Sequence, residues 1–208
     1  MCYSADISLL TFSISFGFSI LLTQSQQIFH QLMGNFLGFV SLMQFIEYLL
    51  WKHQICDSYN KSVSVVGMVL NHLQPVVLAL LTLYFYNKNV MPIAILVLIF
   101  IAVIVPYSLQ FTSDLQCSTM HHGSTDPHIV WQWNTLKYSN IVYIMFLATF
   151  VGVGLLGMPF SEGAMFSVIA VVTYGLSSFI YDRKVMGSLW CFWTAFIPAL
   201  IYFKSKFF

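Results

Sequence analysis

The sequence predicts an all-α integral membrane protein, a bundle of seven transmembrane helices with one long extramembrane loop between helices 4 and 5. Of 208 residues, 59% are hydrophobic and only 7% are charged, whereas a water-soluble domain is typically about a quarter charged. The mean hydropathy is +0.81. Segments of about 20 residues with almost no charge recur along the chain, and a helix of that length spans a bilayer. We therefore expect residues 1–208 to form a single membrane domain.

Seven segments have the length and apolarity of transmembrane helices. They cover residues 7–22, 34–51, 62–85, 91–109, 136–157, 163–181 and 185–203. Charged or turn-forming residues separate them, as in Asn87-Lys88-Asn89 and Asp182-Arg183-Lys184. The first segment is short and rich in serine. An odd number of spans places the termini on opposite sides of the membrane, which we name face A (N-terminal) and face B.

Basic residues and cysteines give opposing indications of orientation. Five basic residues adjoin face A and three adjoin face B, which favours a cytoplasmic N-terminus because cytoplasmic loops are enriched in Lys and Arg. The same face carries the glycosylation sequon Asn60-Lys61-Ser62 and the loop residues Cys56 and Cys117. Those two cysteines could form a disulfide if face A were lumenal. The sequence does not identify the membrane.

Composition excludes several classes of protein. A net charge of +1 provides no surface for nucleic acid, so the lipid bilayer is the partner that the composition indicates. A retinal protein is not expected, because its Schiff-base lysine would lie deep in the last helix, whereas Lys204 and Lys206 lie at the very end. No internal repeat is visible, which argues against an inverted-repeat transporter. The oligomeric state, a homo-oligomer included, stays open.

Polar side chains within the spans concentrate in the half nearest face A. The second and third spans contribute Gln44, Glu47, Trp51, Asn71, His72 and Gln74. Spacings of three and four residues place the first three on one face of a helix, and Asn71 and Gln74 on one face of the next. An ionisable side chain at this depth is costly unless it is paired or protonated, so we expect Glu47 and His72 to face the bundle interior. Serines and threonines aside, the half nearest face B contains almost nothing that could ligate an ion or relay a proton.

Two motifs in the first third of the chain resemble those of a known family. The chain opens with Met1-Cys2-Tyr3-Ser4-Ala5 and continues with Gln44-x-x-Glu47-x-x-x-Trp51. These motifs resemble an uncharacterised family of small multi-pass membrane proteins from bacteria and large DNA viruses. Many bacterial members carry His just before that Gln, where this chain has Met43. The resemblance implies no activity, but it implies that Cys2, Ser4, Gln44, Glu47 and Trp51 belong to one site.

Three sets of residues are candidates for chemistry, each with a structural alternative. Cys2 would become the N-terminal residue after methionine removal and could act as nucleophile or metal ligand, or it could be a buried or lipid-modified cysteine. Glu47 and His72 could form a general base, a metal-ligand pair or a proton site, or an interhelical hydrogen bond. The 117–128 loop contains His121 and His122, which zinc would accept, although the spacing matches no known zinc site and a solvated loop is the alternative.

Two other features predict membrane placement and packing. Trp51, Trp131 and Trp133 are expected in an aromatic belt at the membrane interface. Ala148-x-x-x-Gly152 predicts close helix packing. Neither feature points to chemistry.

The function prediction combines these candidates in a dead-end polar pocket that opens at face A and is sealed at face B. Its lining would be Gln44, Glu47, Asn71, His72 and Gln74, with Cys2, Ser4 and Asp6 at the mouth. Such a pocket suits an intramembrane enzyme, such as a metal-assisted hydrolase or a lipid-modifying enzyme, acting on a lipid or small amphiphile. Cys2, Glu47 and His72 would be its catalytic residues, with zinc as the candidate metal. The alternatives are a proton or ion channel or small-solute transporter using Glu47 and His72, and a structural or assembly protein.

Overall fold

Residues 4–114, 116–120, 128–180 and 186–207 are described in a computed structural model, and they are almost entirely helical. The helices are α1 (Ala5–Thr23), α2 (Ile28–Lys52), α3 (Ser58–Tyr86), α4 (Val90–Asp114), α5 (Ser139–Gly157), α6 (Phe160–Ile180), α7 (Met186–Thr194) and α8 (Ile197–Phe207). Helices α1 to α6 are each long and apolar enough to cross a membrane. The prediction of an all-α, multi-pass membrane protein is confirmed to that extent.

The seventh predicted span, residues 185–203, is not one continuous helix. Its described part forms α7 and α8, of 9 and 11 residues, each too short to cross a hydrocarbon core of about 30 Å alone. Pro198 explains the break, since it has no N–H to donate to the carbonyl of Thr194. The preceding turn tightens, and the Phe196 N–H donates to the Trp193 carbonyl three residues back, at 3.4 Å.

Three of the four serines of α1 are buried, on the side of the helix that packs on α2, whereas Ser13 is exposed. The buried polar positions of α1 are Ser8, Thr11, Ser15 and Ser19, which recur along one side of the helix. A Cβ atom added to Gly34 of α2 would lie 2.7 Å from the Ser19 carbonyl oxygen, so the two backbones nearly touch. Small residues permit such close approach between membrane helices. The serine-rich composition of α1 therefore reflects helix packing.

The connection between α4 and α5 packs into the face-A end of the bundle. We name residues 117–120 and 128–134 the closing segment. Trp131 and Trp133 are fully buried there and stack on each other with ring centroids 4.9 Å apart. Gly67 of α3 and Gly187 of α7 make room for them, because a Cβ atom on either glycine would come within 3.2 Å of an indole ring. The prediction that both tryptophans belong to an interfacial belt is wrong.

A disulfide and a buried amide hold the closing segment to the start of α3. Cys117 is bonded to Cys56, with Cα atoms 5.5 Å apart. The side chain of Asn60 is fully buried, and its Nδ2 donates to the backbone oxygens of His53 at 2.8 Å and Ser118 at 3.1 Å. The asparagine of the predicted sequon is thus a structural tie, and its amide is inaccessible to a glycan.

Candidate functional site

The polar residues predicted on α2 and α3 are buried inside the bundle. Exposure is between 0% and 5% for Gln44, Glu47, Asn71, His72 and Gln74. The helical spacing that predicted an interior face on each helix is therefore correct. Burial alone does not assign these residues a role, which depends on the groups that each one contacts.

Gln44 and His72 form hydrogen bonds to other helices. The Thr11 hydroxyl of α1 donates to Gln44 Oε1 at 2.9 Å. His72 Nδ1 lies 2.8 Å from the Ser108 hydroxyl of α4, and its ring packs edge-on against Tyr107 with centroids 5.8 Å apart. Within the described residues His72 Nε2 has no hydrogen-bond partner. A hydrogen bond between Glu47 and His72, one form of the predicted pair, is therefore not part of this structure.

Glu47 instead lies beside residues from the C-terminal half of the chain. Its carboxylate lies within electrostatic range of the Cys191 thiol of α7. The Tyr143 phenol of α5 lies within range of that thiol and beside the Asn71 side chain, and it donates a hydrogen bond to Asn134 Oδ1 in the closing segment. No role is predicted from the sequence for Cys191 or Tyr143. Each is a residue with a polar atom in an otherwise apolar segment, and that is the only feature of the sequence that could have indicated a role.

The remaining predicted residues do not join this cluster. Ser4 is the N-cap of α1, where its Oγ accepts a hydrogen bond from the Ile7 N–H at 3.2 Å. Asp6 is exposed in the first turn of α1, where a carboxylate interacts favourably with the helix dipole. Both side chains thus serve the start of the helix, and neither lines the cavity described below. Trp51 is half-buried at the end of α2.

The predicted metal ligands are only partly covered by the structure. Cys2, His121 and His122 lie outside the described residues. Among the residues that are described, no three His, Cys, Asp or Glu side chains come together in an arrangement that could hold a metal ion.

A cavity of about 940 Å³ lies between α2, α5, α6, α7 and α8, and we name it the cleft. Its walls are mainly apolar and include Phe36, Val40, Phe150, Ile169, Trp190, Leu200 and Ile201. At face B its lining includes Gln27, His30, Glu162 and Lys204. In the bundle interior it reaches Gln74 and Cys191.

The cleft differs in position from the predicted pocket, which was to open at face A and be sealed at face B. Face A is covered by the closing segment, and the cleft extends to face B. The helix break before Pro198 accounts for it, because α7 packs on α6 while α8 packs on α1 and α2, so that α6 and α8 have at most slight contact. Apolar residues line a cleft as readily as they fill a core. The apolar sequence of the face-B half therefore could not show whether that half is a packed core or contains a cleft.

The inner end of the cleft carries a small set of polar atoms. Of the predicted pocket residues only Gln74 lines it. Its side chain is 3% exposed, and in the described part of the chain its Nε2 has no hydrogen-bond partner. Cys191 lines the same cavity, and the Glu47 carboxylate acts on its thiol. An amide donor and a thiol thus line the same apolar cavity, and a buried carboxylate acts on the thiol.

The face-B end of the cleft is polar and carries both signs of charge. His30 Nδ1 lies 3.2 Å from the Ser25 hydroxyl, and the charges of Glu162 and Lys204 both act on the His30 ring. The Tyr86 hydroxyl donates a hydrogen bond to Glu162. A molecule in the cleft would therefore have hydrocarbon around its body and ionic groups near the membrane surface.

Comparison with protein-family models, curated proteins and solved structures finds no match to this chain. The resemblance to the bacterial and viral family thus stays a prediction. Of the residues that it groups together, Gln44 and Glu47 are buried in the bundle, Ser4 caps α1, and Cys2 lies outside the described residues.

Proposed function

We propose that the protein binds a lipid or other amphiphile in the cleft and acts on it within the membrane. The observation that carries this proposal is the cleft itself, about 940 Å³ in volume with apolar walls and a charged end at face B. Ligand cavities are commonly about 300–1,000 Å³ and largely apolar, with a few placed polar groups. Protein interiors are otherwise close-packed, so a cavity of this size has room for a bound molecule.

Access from the bilayer supports an amphiphile over a water-soluble ligand. Leu176 of α6 and Leu200 of α8 line the cleft and are 47% and 67% exposed on the outer surface of the bundle. Because α6 and α8 barely touch, a hydrocarbon chain can enter between them from the surrounding lipid. Its polar end would then meet Lys204 and His30 at face B.

Filling the cleft tests the proposal. Ala170 of α6 is 6% exposed and lines the cavity, whereas Val168 on the same helix is 61% exposed toward the outside. We expect Ala170→Trp to reduce the lipid retained by purified protein in native mass spectrometry at least tenfold. Val168→Trp adds a comparable ring outside the cavity and should retain lipid like the unmodified chain. Equal retention in both variants would overturn the proposal.

An ion channel is the main alternative function. A cleft that is closed at its inner end binds a ligand, whereas a channel requires a path that continues to face A. A path would have to cross the closing segment, where Trp131 and Trp133 are fully buried. Proton flux into liposomes that disappears in Glu47→Gln would favour the channel. Absence of such flux, together with lipid retention, would favour the cleft.

We also propose that face A is the non-cytoplasmic side. The Cys56–Cys117 disulfide supports this orientation, because disulfides form and persist in oxidising compartments. It reverses the orientation favoured by the count of basic residues. A C-terminal tag, following Lys206 at face B, should become reactive to antibody only after the cells are permeabilised. Labelling of intact cells would contradict the assignment.

A further inference from the structure

We propose that Cys191 is an acyl acceptor at the inner end of the cleft, where its sulfur attacks the ester carbonyl of an acyl lipid while Glu47 takes the thiol proton and Gln74 binds the carbonyl oxygen. The inference rests on the proposed function, because the ester must reach Cys191 through the cleft. Beyond ligand binding, it specifies acyl transfer from a lipid ester and a role for Cys191, Glu47 and Gln74.

The thiol has both access to the cavity and a base beside it. Cys191 is a free cysteine, is 4% exposed and lines the cleft. Cys191 packs in one core cluster with Met43, Ile46 and Leu50 of α2, whose side chains flank the fully buried Glu47, and the Glu47 carboxylate acts on the thiol. The thiolate is the nucleophilic form, so the thiol reacts only as a base removes its proton. The neighbouring carboxylate is suited to that task.

The Gln74 amide indicates which group the ligand brings. Buried amides are nearly always hydrogen-bonded, whereas Gln74 Nε2 has no partner among the described residues and lines the cavity. A ligand carbonyl in the cleft would accept this hydrogen bond. A donor placed on the oxygen of an ester carbonyl also stabilises the negative charge that develops there during nucleophilic attack.

The proposed reaction is balanced without a cofactor. Glu47 accepts the thiol proton as the C–S bond forms and the carbonyl oxygen gains negative charge beside Gln74 Nε2. When the tetrahedral intermediate collapses, the ester C–O bond breaks and Glu47 returns the proton to the departing alkoxide. The products are an alcohol and a thioester on Cys191. Water, or an alcohol or amine acceptor, then takes the acyl group and regenerates the thiol.

Two probes of equal chain length separate access from chemistry. An N-hexadecyl iodoacetamide alkylates any thiol that it can reach through the cleft, and p-nitrophenyl palmitate is an activated acyl ester. With purified protein, we expect both to modify Cys191, the second giving a palmitoyl adduct that neutral hydroxylamine removes. In a Cys2→Ser background, which removes the other cysteine outside the disulfide, mass spectrometry should find neither adduct in Cys191→Ala and slower alkylation in Ala170→Trp.

Two conservative variants test the assigned roles. Glu47→Gln should slow acylation at least tenfold, and Gln74→Leu, which removes the N–H at similar volume, should slow it about 100-fold, as expected for loss of a donor to the oxyanion. Alkylation of Gln74→Leu at the unmodified rate would show that this variant is folded with an open cleft.

The outcomes distinguish the two proposals. Alkylation of Cys191 without any acylation would overturn the acyl-acceptor inference and leave the cleft intact. Failure of both reagents to reach Cys191 would overturn both. Acylation at unchanged rates in Glu47→Gln and Gln74→Leu would show a merely accessible thiol and would overturn the proposed mechanism.

Discussion

Individual polar residues of this chain serve two different purposes. Asn60 and Ser4 complete hydrogen bonds of the backbone, whereas Gln74 and Cys191 border the cleft. Spacing along a helix predicted that Gln74 would be buried, but it could not show which buried side chains meet a cavity. That distinction depends on neighbours distant in sequence.

Asn60 offers a test at this scale. Asn60→Ala leaves two carbonyl oxygens without their donor, so we expect a loss of about 1–3 kcal/mol in the free energy of unfolding, measured by thermal unfolding in detergent. Ser62→Ala removes the same sequon at an exposed position and should leave the stability nearly unchanged. A glycan on Asn60 of the folded protein would contradict this account.

Asp57 should make stability depend on pH. A hydrogen bond from the Asn60 backbone N–H, with a second from His53, lowers the pKa of Asp57 below its ordinary value of 3.8. Because the folded-state pKa is depressed, the contribution is complete above the unfolded value and is lost as pH falls through the folded value. The difference in melting temperature between the unmodified chain and Asp57→Ala should therefore shrink as the pH falls below about 4. A difference that grows below that pH would contradict the assignment.

At the scale of helices, the sequence predicted the six long ones well and the last span poorly. Apolar length alone suffices to find α1 to α6. The break before Pro198 was missed because a proline is also compatible with a kinked continuous helix, and only the separate packing of α7 and α8 makes it a division. The serines of α1 were visible in the sequence, but the burial of three of them depends on the neighbouring helix α2, where Gly34 permits close approach at Ser19.

The α1–α2 contact can be tested with a matched glycine pair. A Cβ atom at Gly34 would lie 2.7 Å from a backbone oxygen and 2.8 Å from a backbone nitrogen of α1, whereas at Gly17 nothing lies within 4 Å. We expect Gly34→Ala to destabilise the protein by about 1–3 kcal/mol, because α1 must move. Gly17→Ala should change stability by less than about 1 kcal/mol. Reversible unfolding in mixed micelles measures both, and equal effects would refute the close contact.

At the scale of the whole molecule, two long-range features define the site: the closing segment over face A and the cleft reaching face B. Composition predicted neither. A tryptophan such as Trp133 has the same sequence signature at a lipid interface and in a protein core, and the apolar lining of the cleft is indistinguishable from core. The polar atoms near the inner end of the cleft were predicted on α2 and α3 only, because Cys191 belongs to a helix whose path depends on the break.

The disulfide should contribute substantially to the stability of the whole bundle. It joins residues 61 positions apart, and in the chain-entropy view a loop of this size corresponds to about 4 kcal/mol, with measured values typically about 2–4. The double variant Cys56→Ser, Cys117→Ser should unfold at correspondingly lower denaturant. Retention of lipid by this variant under native conditions would separate the role of the bond from that of the cleft, and unchanged stability would contradict the expectation.

The same cross-link has a consequence for biosynthesis. The ribosome adds roughly 5–20 residues per second, so after Cys56 is made roughly 3–12 s pass before its partner, 61 residues later, is even synthesised. The thiol must stay reduced during that interval while α3 and α4 are inserted into the membrane. If Cys56 paired with another cysteine first, the Cys56–Cys117 disulfide could not form. A thiol oxidoreductase in the same compartment would prevent or reverse such mispairing.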